Sequence, residues 1–165
     1  MLRFRFCPGV VSRLMNRANM QAIETRLAEE RDVAALARLA GELGYPSTPE
    51  QIRERFADSE AAPHQATFVA VIDGNAVVGW IHLSEVRSLD AEPRAEITGL
   101  VVDSNHRSSG AGRLLVERGE DWARRRGLAV IGVRSNVIRE RAHAFYERLG
   151  YAVMKTQKVF RKTLE

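Results

Sequence analysis

The sequence contains little cysteine and no long hydrophobic run, and each absence excludes a class of protein. Cys7 is the single cysteine among 165 residues, so one chain can form neither an internal disulfide nor a cysteine-based zinc cluster. No apolar stretch approaches the roughly 20 residues that a membrane-spanning helix needs. We therefore expect an intracellular, cytoplasmic protein with no metal site and no membrane partner.

Net positive charge is absent from most of the chain. Residues 1–20 contain four arginines and no acidic residue, which accounts for the whole formal net charge of +4. The remaining residues are neutral overall, whereas a surface that follows nucleic-acid phosphates needs a basic footprint. We predict no nucleic-acid partner for the folded part. Residues 1–19 are predicted to be a disordered basic extension, and residues 20–165 a single domain.

What the sequence does contain is an alternation of strand and helix patterns. Strand-like runs have apolar residues at every second position, and helix-like runs have them three or four residues apart. Thr48-Pro49-Glu50-Gln51 is a typical helix start, and Asp73-Gly74-Asn75 is typical of a hairpin turn. These patterns predict an α/β fold with one mixed sheet covered by helices. The predicted elements are strand 22–28, helices 32–43 and 49–62, strands 67–72, 76–86 and 95–102, helix 110–126, strand 128–134, helix 138–149 and a last strand 153–160.

One turn, Arg107-Ser108-Ser109-Gly110-Ala111-Gly112, has the composition of an anion site. It comes after a predicted strand and opens a helix, so backbone N–H groups and the positive end of the helix dipole face it. Its glycines allow close approach, its serines add hydroxyl groups, and its arginine adds positive charge. The turn lacks the Gly-x-x-x-x-Gly-Lys of a nucleoside-triphosphate loop. Its residues fit a diphosphate; a strand–helix corner that uses glycine for packing alone is the alternative.

Three motifs together resemble the GNAT superfamily of acetyl-CoA-dependent N-acetyltransferases. The turn at 107–112 matches the family's Arg/Gln-x-x-Gly-x-Gly/Ala loop. The stretch from Glu96 to Val102 matches its central strand, and the stretch from Ala142 to Tyr151 matches its last helix and following turn. The resemblance covers residues 23–160 and includes the order of elements. It implies the GNAT fold, in which a central mixed β-sheet is flanked by helices.

The resemblance implies acetyl-CoA as the acetyl donor and assigns residues to it. A bulge would open the sheet between the strand at 100–102 and the strand near Val133, leaving backbone groups for the pantetheine arm. The pyrophosphate would occupy the 107–112 loop. No metal is implied. The expected cofactor-binding residues are Leu100, Val101, Val102, Arg107, Ser108, Ser109, Gly110, Ala111, Gly112, Arg113, Asn136 and Arg139.

The implied reaction is attack of an amine on a thioester, which requires proton transfers. An alkylammonium group with a pKa near 10.4 is only about 0.1% neutral at pH 7.5, so a base must accept its proton. Relatives place a base at the position of Glu96, for which an ion pair with Arg94 is the alternative role. In relatives the tyrosine at the position of Tyr146 protonates the departing thiolate, and a core tyrosine is the alternative. His82 lies on a strand that can face the substrate, although a half-exposed structural histidine is the commoner case.

The predicted function is transfer of an acetyl group to a primary amine of a small molecule or protein. Direct attack in a ternary complex is expected, because the domain has no cysteine nucleophile. A non-catalytic acyl-CoA-binding module is the alternative, and nucleic-acid binding by the basic extension is a third hypothesis. The resemblance also allows a homodimer. The first two helices and the hairpin would form the acceptor side, and sequence patterns do not define its pocket.

Overall fold

The computed structural model describes residues 13–15 and 22–164, with side chains from residue 22 onward. Contacts divide the chain into two compact units, residues 1–133 and residues 134–165. Cys7 and most of the predicted basic extension lie outside the described residues. Arg13–Met15, within that extension, form a strand that pairs with the next one. The expectation of disorder therefore does not hold for these residues, whose backbone groups join a ladder.

The first unit is built on a six-stranded sheet in which the strand order is the same as the chain order. The strands are β1 (Arg13–Met15), β2 (Ala22–Leu27), β3 (Gln65–Ile72), β4 (Ala76–Val86), β5 (Arg94–Val102) and β6 (Ile131–Val133). Neighbours from β1 to β5 are antiparallel, and β6 is parallel to β5. The predicted hairpin turn between β3 and β4 is confirmed, with positive φ angles of 50° at Asp73 and 76° at Gly74.

Two helices, α1 (Val33–Leu43) and α2 (Pro49–Ala61), pack on one face of this sheet. The predicted capping box opens α2: Gln51 N–H donates to Thr48 Oγ1 at 3.3 Å, and Thr48 N–H donates to Gln51 Oε1 at 3.1 Å. α1 ends at Gly44, which has a φ of 95°. The apolar stripes of both helices bury a shared cluster with β3: Ala28, Val33, Leu36, Phe56, Val69 and Val71.

A third helix, α3 (Ala111–Arg125), packs on the opposite face. A Cβ added at Gly119 would lie 3.2 Å from side-chain atoms of Ile81 and of Leu83, so the helix backbone approaches β4 closely. After the helix, Gly127 has a φ of 70°, and Leu128 N–H donates to Ala123 O at 3.1 Å. Because Leu128 belongs to this helix end, the next strand begins only at Ile131. The predicted start of that strand, at residue 128, is therefore wrong.

Arg26 and Asp32 form a nearly buried ion pair at the start of α1. Arg26 donates to both Asp32 carboxylate oxygens at 2.6 and 2.8 Å, and Glu29 N–H donates to the same carboxylate at 2.8 Å. The Asp32 side chain is 4% exposed and that of Arg26 is 25% exposed. Burial alone would raise the pKa of Asp32, but the hydrogen bonds from Arg26 and Glu29 outweigh it and hold that pKa below its ordinary value.

We expect Asp32→Asn to lower the free energy of unfolding by about 2 to 3 kcal/mol, because Arg26 would keep a partly buried charge without a counter-charge. The folded-state pKa of Asp32 lies below its unfolded value. The wild-type stabilisation is therefore present above about pH 4 and is lost as the pH falls through the folded-state pKa.

Urea unfolding at pH 7 and at successively lower pH measures both effects. Glu30→Gln is the control, because it removes the exposed pair between Glu30 and Arg53 and should cost under about 1 kcal/mol. An Asp32→Asn protein as stable as the wild type at pH 7 would contradict the prediction.

The second unit contains one helix, α4 (Glu140–Arg148), among its described residues. The helix ends with Tyr151 N–H donating to Tyr146 O at 3.1 Å and with Gly150 at a φ of 90°. Residues 151–164 contain no helix or strand, so the predicted last strand over 153–160 is wrong. The middle of that run, Lys155-Thr156-Gln157-Lys158, is polar throughout and lacks the apolar alternation that commits a strand to one face of a sheet.

Candidate active site

β5 changes its pairing midway, at Thr98. Its register with β4 shifts between the pairs His82–Gly99 and Leu83–Ile97, so Thr98 is an extra residue and forms a β-bulge. The Thr98 hydroxyl donates to His82 O at 3.2 Å. On the other edge, β6 pairs with β5 only from Ala95 to Ile97. From the bulge to Val102, the backbone groups of β5 on this edge therefore do not pair with β6.

The loop at 107–112 comes after β5 and a short 3-10 turn, Ser104–His106. Ser108 and Gly110 have positive φ angles of 65° and 95°, in the left-handed region. A Cβ added at Gly110 would meet no atom within 4 Å. Close packing therefore does not explain the glycine at this position. Gly110 allows the left-handed backbone conformation, and the space above the loop is open.

The N terminus of α3 adds backbone donors at the end of this loop. Leu114 N–H is the first to join the helix ladder, and it donates to Gly110 O at 3.0 Å. Ala111 N–H donates to Ser109 Oγ at 3.4 Å, whereas the N–H groups of Gly112 and Arg113 have no acceptor within the helix. These donors and the helix dipole favour an anion at the loop.

The two arginines predicted at the loop differ in their surroundings. Arg107 is exposed. Arg113 Nε donates to Glu117 Oε1 at 2.7 Å, one helical turn further along α3. Arg113 would therefore have to share or release this ion pair in order to contact a phosphate.

Glu96 lies on the face of the sheet that carries α1 and α2. It pairs with Ser84 across β4 and β5, and paired residues project their side chains from the same face. His82 and Trp80 lie on this face at two-residue spacing along β4. The Glu96 side chain is 12% exposed, and its Oε2 lies 3.9 Å from Arg94 Nη2. Because 3.9 Å is longer than a hydrogen bond, the predicted alternative ion pair is loose.

His82 contacts a residue that the sequence patterns do not single out, Thr67. Thr67 lies opposite His82 on β3, and its Oγ1 is 2.9 Å from His82 Nδ1. Burial lowers the pKa of His82, so its imidazole is neutral at neutral pH. Counting back from the hairpin turn would have paired these residues, provided that the register shift between Ala70 and Val71 was included.

Trp80 packs over the backbone of β5 next to the bulge. A Cβ added at Gly99 would lie 2.5 Å from the Trp80 ring, a separation that no side chain can adopt. Trp80 also packs against the cluster shared by α1, α2 and β3. The indole therefore links the apolar core to the polar end of the face that holds Glu96 and His82.

The remaining candidates, Asn136, Arg139 and Tyr146, lie in the second unit. The Tyr146 ring contacts those of Phe145 and Tyr151, with centroids 5.2 and 5.5 Å away. Burial raises the pKa of Tyr146 to about 12, and the positive charge of Arg139 acts in the opposite direction. Its phenol therefore keeps its proton at neutral pH, which a proton donor requires.

Asn136 and Arg139 shape the turn before α4. Asn136 Oδ1 accepts from Ile138 N–H at 3.2 Å, and Asn136 O accepts from Arg139 N–H at 2.9 Å. His143 Nε2 lies 3.0 Å from the same carbonyl oxygen, so this histidine contacts the backbone of the turn. Arg139 is the N-cap residue of α4.

A second charged pair, beside the loop, is one that sequence reasoning misses. Arg38 of α1 donates through Nη1 to Asp103 Oδ2 at 2.7 Å, across 65 residues of sequence. Asp103 comes directly after β5 and is 7% exposed. The sequence shows an acidic residue, Asp103, at the end of a strand, which is the only signal for this pair. The helical pattern of α1 does not identify Arg38 as its partner.

Neither a metal-binding cluster nor a membrane-spanning helix is found in residues 22–164. No group of three or more histidine, cysteine, aspartate or glutamate side chains is arranged to hold a metal ion there. None of the helices in this described part of the chain combines the length and apolar character needed to cross a bilayer.

Comparisons with known proteins agree with this fold. The sequence model of the Acetyltransferase (GNAT) family matches residues 31–151. The mycothiol acetyltransferase of Propionibacterium freudenreichii subsp. shermanii is 32% identical over 109 residues, which cover 66% of this chain and 34% of that protein. The chain thus spans about a third of the length of this relative.

Solved structures share the fold at low sequence identity. The aminoglycoside 6'-N-acetyltransferase AAC(6')-Ih of Acinetobacter baumannii superimposes with a TM-score of 0.75 at 18% identity, over 87% of this chain and 99% of that one. The aminoglycoside N-acetyltransferase AAC(6')-Iy, solved in complex with CoA, gives a TM-score of 0.78 at 17% identity, over 89% and 99% of the two chains. The match of the family model to residues 31–151, together with the fold shared with these solved structures, shows that this chain belongs to the GNAT family of acetyltransferases.

Proposed function

We propose that this protein transfers an acetyl group from acetyl-CoA to a primary amine of a small molecule or protein, by direct attack in a ternary complex. The observation that carries the proposal is the loop at 107–112, where two left-handed residues lead into the N terminus of α3. The open space above Gly110 allows a diphosphate to approach the backbone donors. Membership of the GNAT family and the CoA complex of one structural neighbour support acetyl-CoA as the donor.

The pantetheine arm would extend along β5 from this loop. Leu100, Val101 and Val102 lie beyond the bulge, where β6 no longer pairs with β5. Their backbone groups can bind the amides of the arm and polarise the thioester carbonyl. Arg107 to Arg113 would bind the pyrophosphate. Asn136 and Arg139 stay proposed cofactor contacts, by resemblance to the family.

Glu96 is the proposed base for the attacking amine, directly or through a water molecule. It shares a sheet face with the neutral His82, so two proton-accepting groups lie on the side that α1 and α2 border. Tyr146 is the proposed acid for the departing thiolate. No covalent acetyl-enzyme is needed, because Cys7 is the sole cysteine of the chain and the amine can attack the thioester itself.

Glu96→Gln is expected to lower kcat/KM for the amine by about tenfold at pH 7. This factor is smaller than the usual rate contribution of a general base, because Glu96 would act through a water molecule. Initial rates of CoA release measure it. Glu85→Gln is the matched control: Glu85 lies on the opposite face, is 6% exposed and is bound by Arg126 at 2.9 Å. Equal activity of folded Glu96→Gln and wild type would remove Glu96 from the mechanism.

Calorimetric titration with acetyl-CoA, and then CoA release in a panel of amines, tests the whole proposal. The panel should contain aminoglycosides, since two structural neighbours carry that name, together with polyamines, amino acids and lysine peptides. We expect one-to-one binding and release with at least one amine. No binding at millimolar acetyl-CoA would refute the proposal, and binding without any acceptor would favour a non-catalytic acyl-CoA-binding module.

A further inference from the structure

Helix α1 is tied to the segment that leads into the 107–112 loop. Arg38 Nη1 donates to Asp103 Oδ2 at 2.7 Å, and Arg38 Nη2 donates to Val77 O at 3.3 Å. One turn later on the helix, Glu42 Oε2 accepts the backbone N–H of Ser104 at 2.9 Å. Arg38 also donates to Glu42 Oε1 at 3.3 Å. The two helix residues therefore hold two successive residues of the segment after β5.

Asp103 passes this restraint on to the 3-10 turn before the loop. Its Oδ1 accepts from Asn105 N–H at 2.9 Å, and its carbonyl oxygen accepts from His106 N–H at 2.9 Å. Its own N–H donates to Val78 O at 2.8 Å, which anchors it to β4. Asp103 is 7% exposed, so the charge of its carboxylate depends on Arg38 and on the backbone N–H of Asn105.

The 3-10 turn connects directly to the anion loop. His106 O accepts from Ser109 N–H at 3.3 Å, and Ser108 between them has the left-handed φ of 65°. A loop held in its binding conformation loses less conformational entropy when a ligand binds. The backbone N–H donors of the loop then stay directed at the position that the pyrophosphate would occupy.

We propose that Arg38 and Asp103 are positioning residues for the cofactor: together with Glu42 they form a brace through which α1 holds the 107–112 loop ready for the pyrophosphate. This inference rests on the proposed function of the loop. Neither residue touches the cofactor; the brace acts through the backbone of residues 103–106. It also joins a helix on the proposed acceptor side to the loop on the donor side.

The brace predicts a change that depends on the acetyl donor. Arg38→Met is expected to raise the KM and Kd for acetyl-CoA by about tenfold, because the loop must then order on binding. The kcat at saturating acetyl-CoA should stay within about twofold. With S-acetylpantetheine, which lacks the pyrophosphate, kcat/KM should be the same for Arg38→Met and the wild type. A general loss of structure would lower activity with both donors.

Steady-state kinetics with both donors and calorimetry with acetyl-CoA provide the test. Arg53→Met is the matched control, because it breaks the exposed pair between Arg53 and Glu30 away from the loop. Arg38→Lys keeps the charge and should recover part of the acetyl-CoA affinity. If Arg38→Met does not fold, Glu42→Met removes the acceptor for Ser104 N–H and should raise the KM for acetyl-CoA severalfold.

Three outcomes would overturn the brace. These are an unchanged KM for acetyl-CoA in folded Arg38→Met and Glu42→Met, an equal loss with both donors, or the same effect in Arg53→Met. Failure of the proposed function looks different. If the wild type itself does not bind acetyl-CoA, the function of the loop is overturned and the brace with it. If the wild type binds acetyl-CoA but acetylates no amine, the Kd for acetyl-CoA alone tests the brace.

Discussion

Replacing Gly110 with valine is expected to raise the Kd for acetyl-CoA at least about a hundredfold, which is about 2.7 kcal/mol of binding free energy. Gly110 has a φ of 95°, a conformation that costs a residue with a side chain about 1 to 2 kcal/mol and is least tolerated by β-branched residues. The valine side chain would also fill the open space above the loop. A phosphate could then no longer reach the backbone donors at the start of α3.

Gly127→Val is the matched control for this experiment. Gly127 lies just past the other end of α3, has a φ of 70°, and a Cβ there would also meet no atom within 4 Å. Both variants should therefore lose similar stability, measured by thermal unfolding, while calorimetry should show impaired acetyl-CoA binding in Gly110→Val alone. If folded Gly110→Val binds like the wild type, the loop is a strand–helix corner without a pyrophosphate.

The parts of the fold that could be predicted from the sequence are those set by local chemistry. The capping box at Thr48 and Gln51 is formed as expected, because both hydrogen bonds join residues three apart. The hairpin at 73–75 forms because Gly74 accepts a positive φ without strain. The loop at 107–112 is also predictable, since its glycines, its serines and the helix after it are contiguous in the sequence. The part that each loop residue plays in binding stays a prediction.

The parts that failed depend on partners distant in sequence. The run at 153–160 has strand-forming residues at its ends, but its polar centre gives no face to bury. Leu128 resembles the start of a strand, yet its N–H completes the end of α3 through Ala123. The contact of Arg38 with Asp103 spans 65 residues, and no periodic pattern encodes it. Tertiary packing decides such positions, so the brace is visible only in three dimensions.

Tyr146→Phe is expected to lower kcat by about a hundredfold at pH 7, because the departing thiolate would lose its proton donor. Burial raises the pKa of Tyr146 to about 12, so the phenol is protonated throughout the pH range of an assay. A thiol has a pKa near 8.5. The thiolate therefore needs the proton less as the pH rises, and we expect the deficit of the variant to shrink between pH 7 and pH 9.5. The Kd for acetyl-CoA should stay unchanged.

Tyr151→Phe separates this role from packing in the same aromatic group. Tyr151 lies 5.5 Å from Tyr146 between ring centroids, and losing its hydroxyl should leave kcat within about twofold of the wild type. A deficit of Tyr146→Phe that shrinks between pH 7 and pH 9.5, with intact acetyl-CoA binding, would support the phenol as the proton donor to the departing sulfur. A constant deficit across the pH range would instead mean that the hydroxyl orients the thioester, since orientation does not depend on the ionisation of the thiol. Unchanged turnover in a folded variant would leave Tyr146 a core tyrosine, and the proton would then reach the sulfur from solvent.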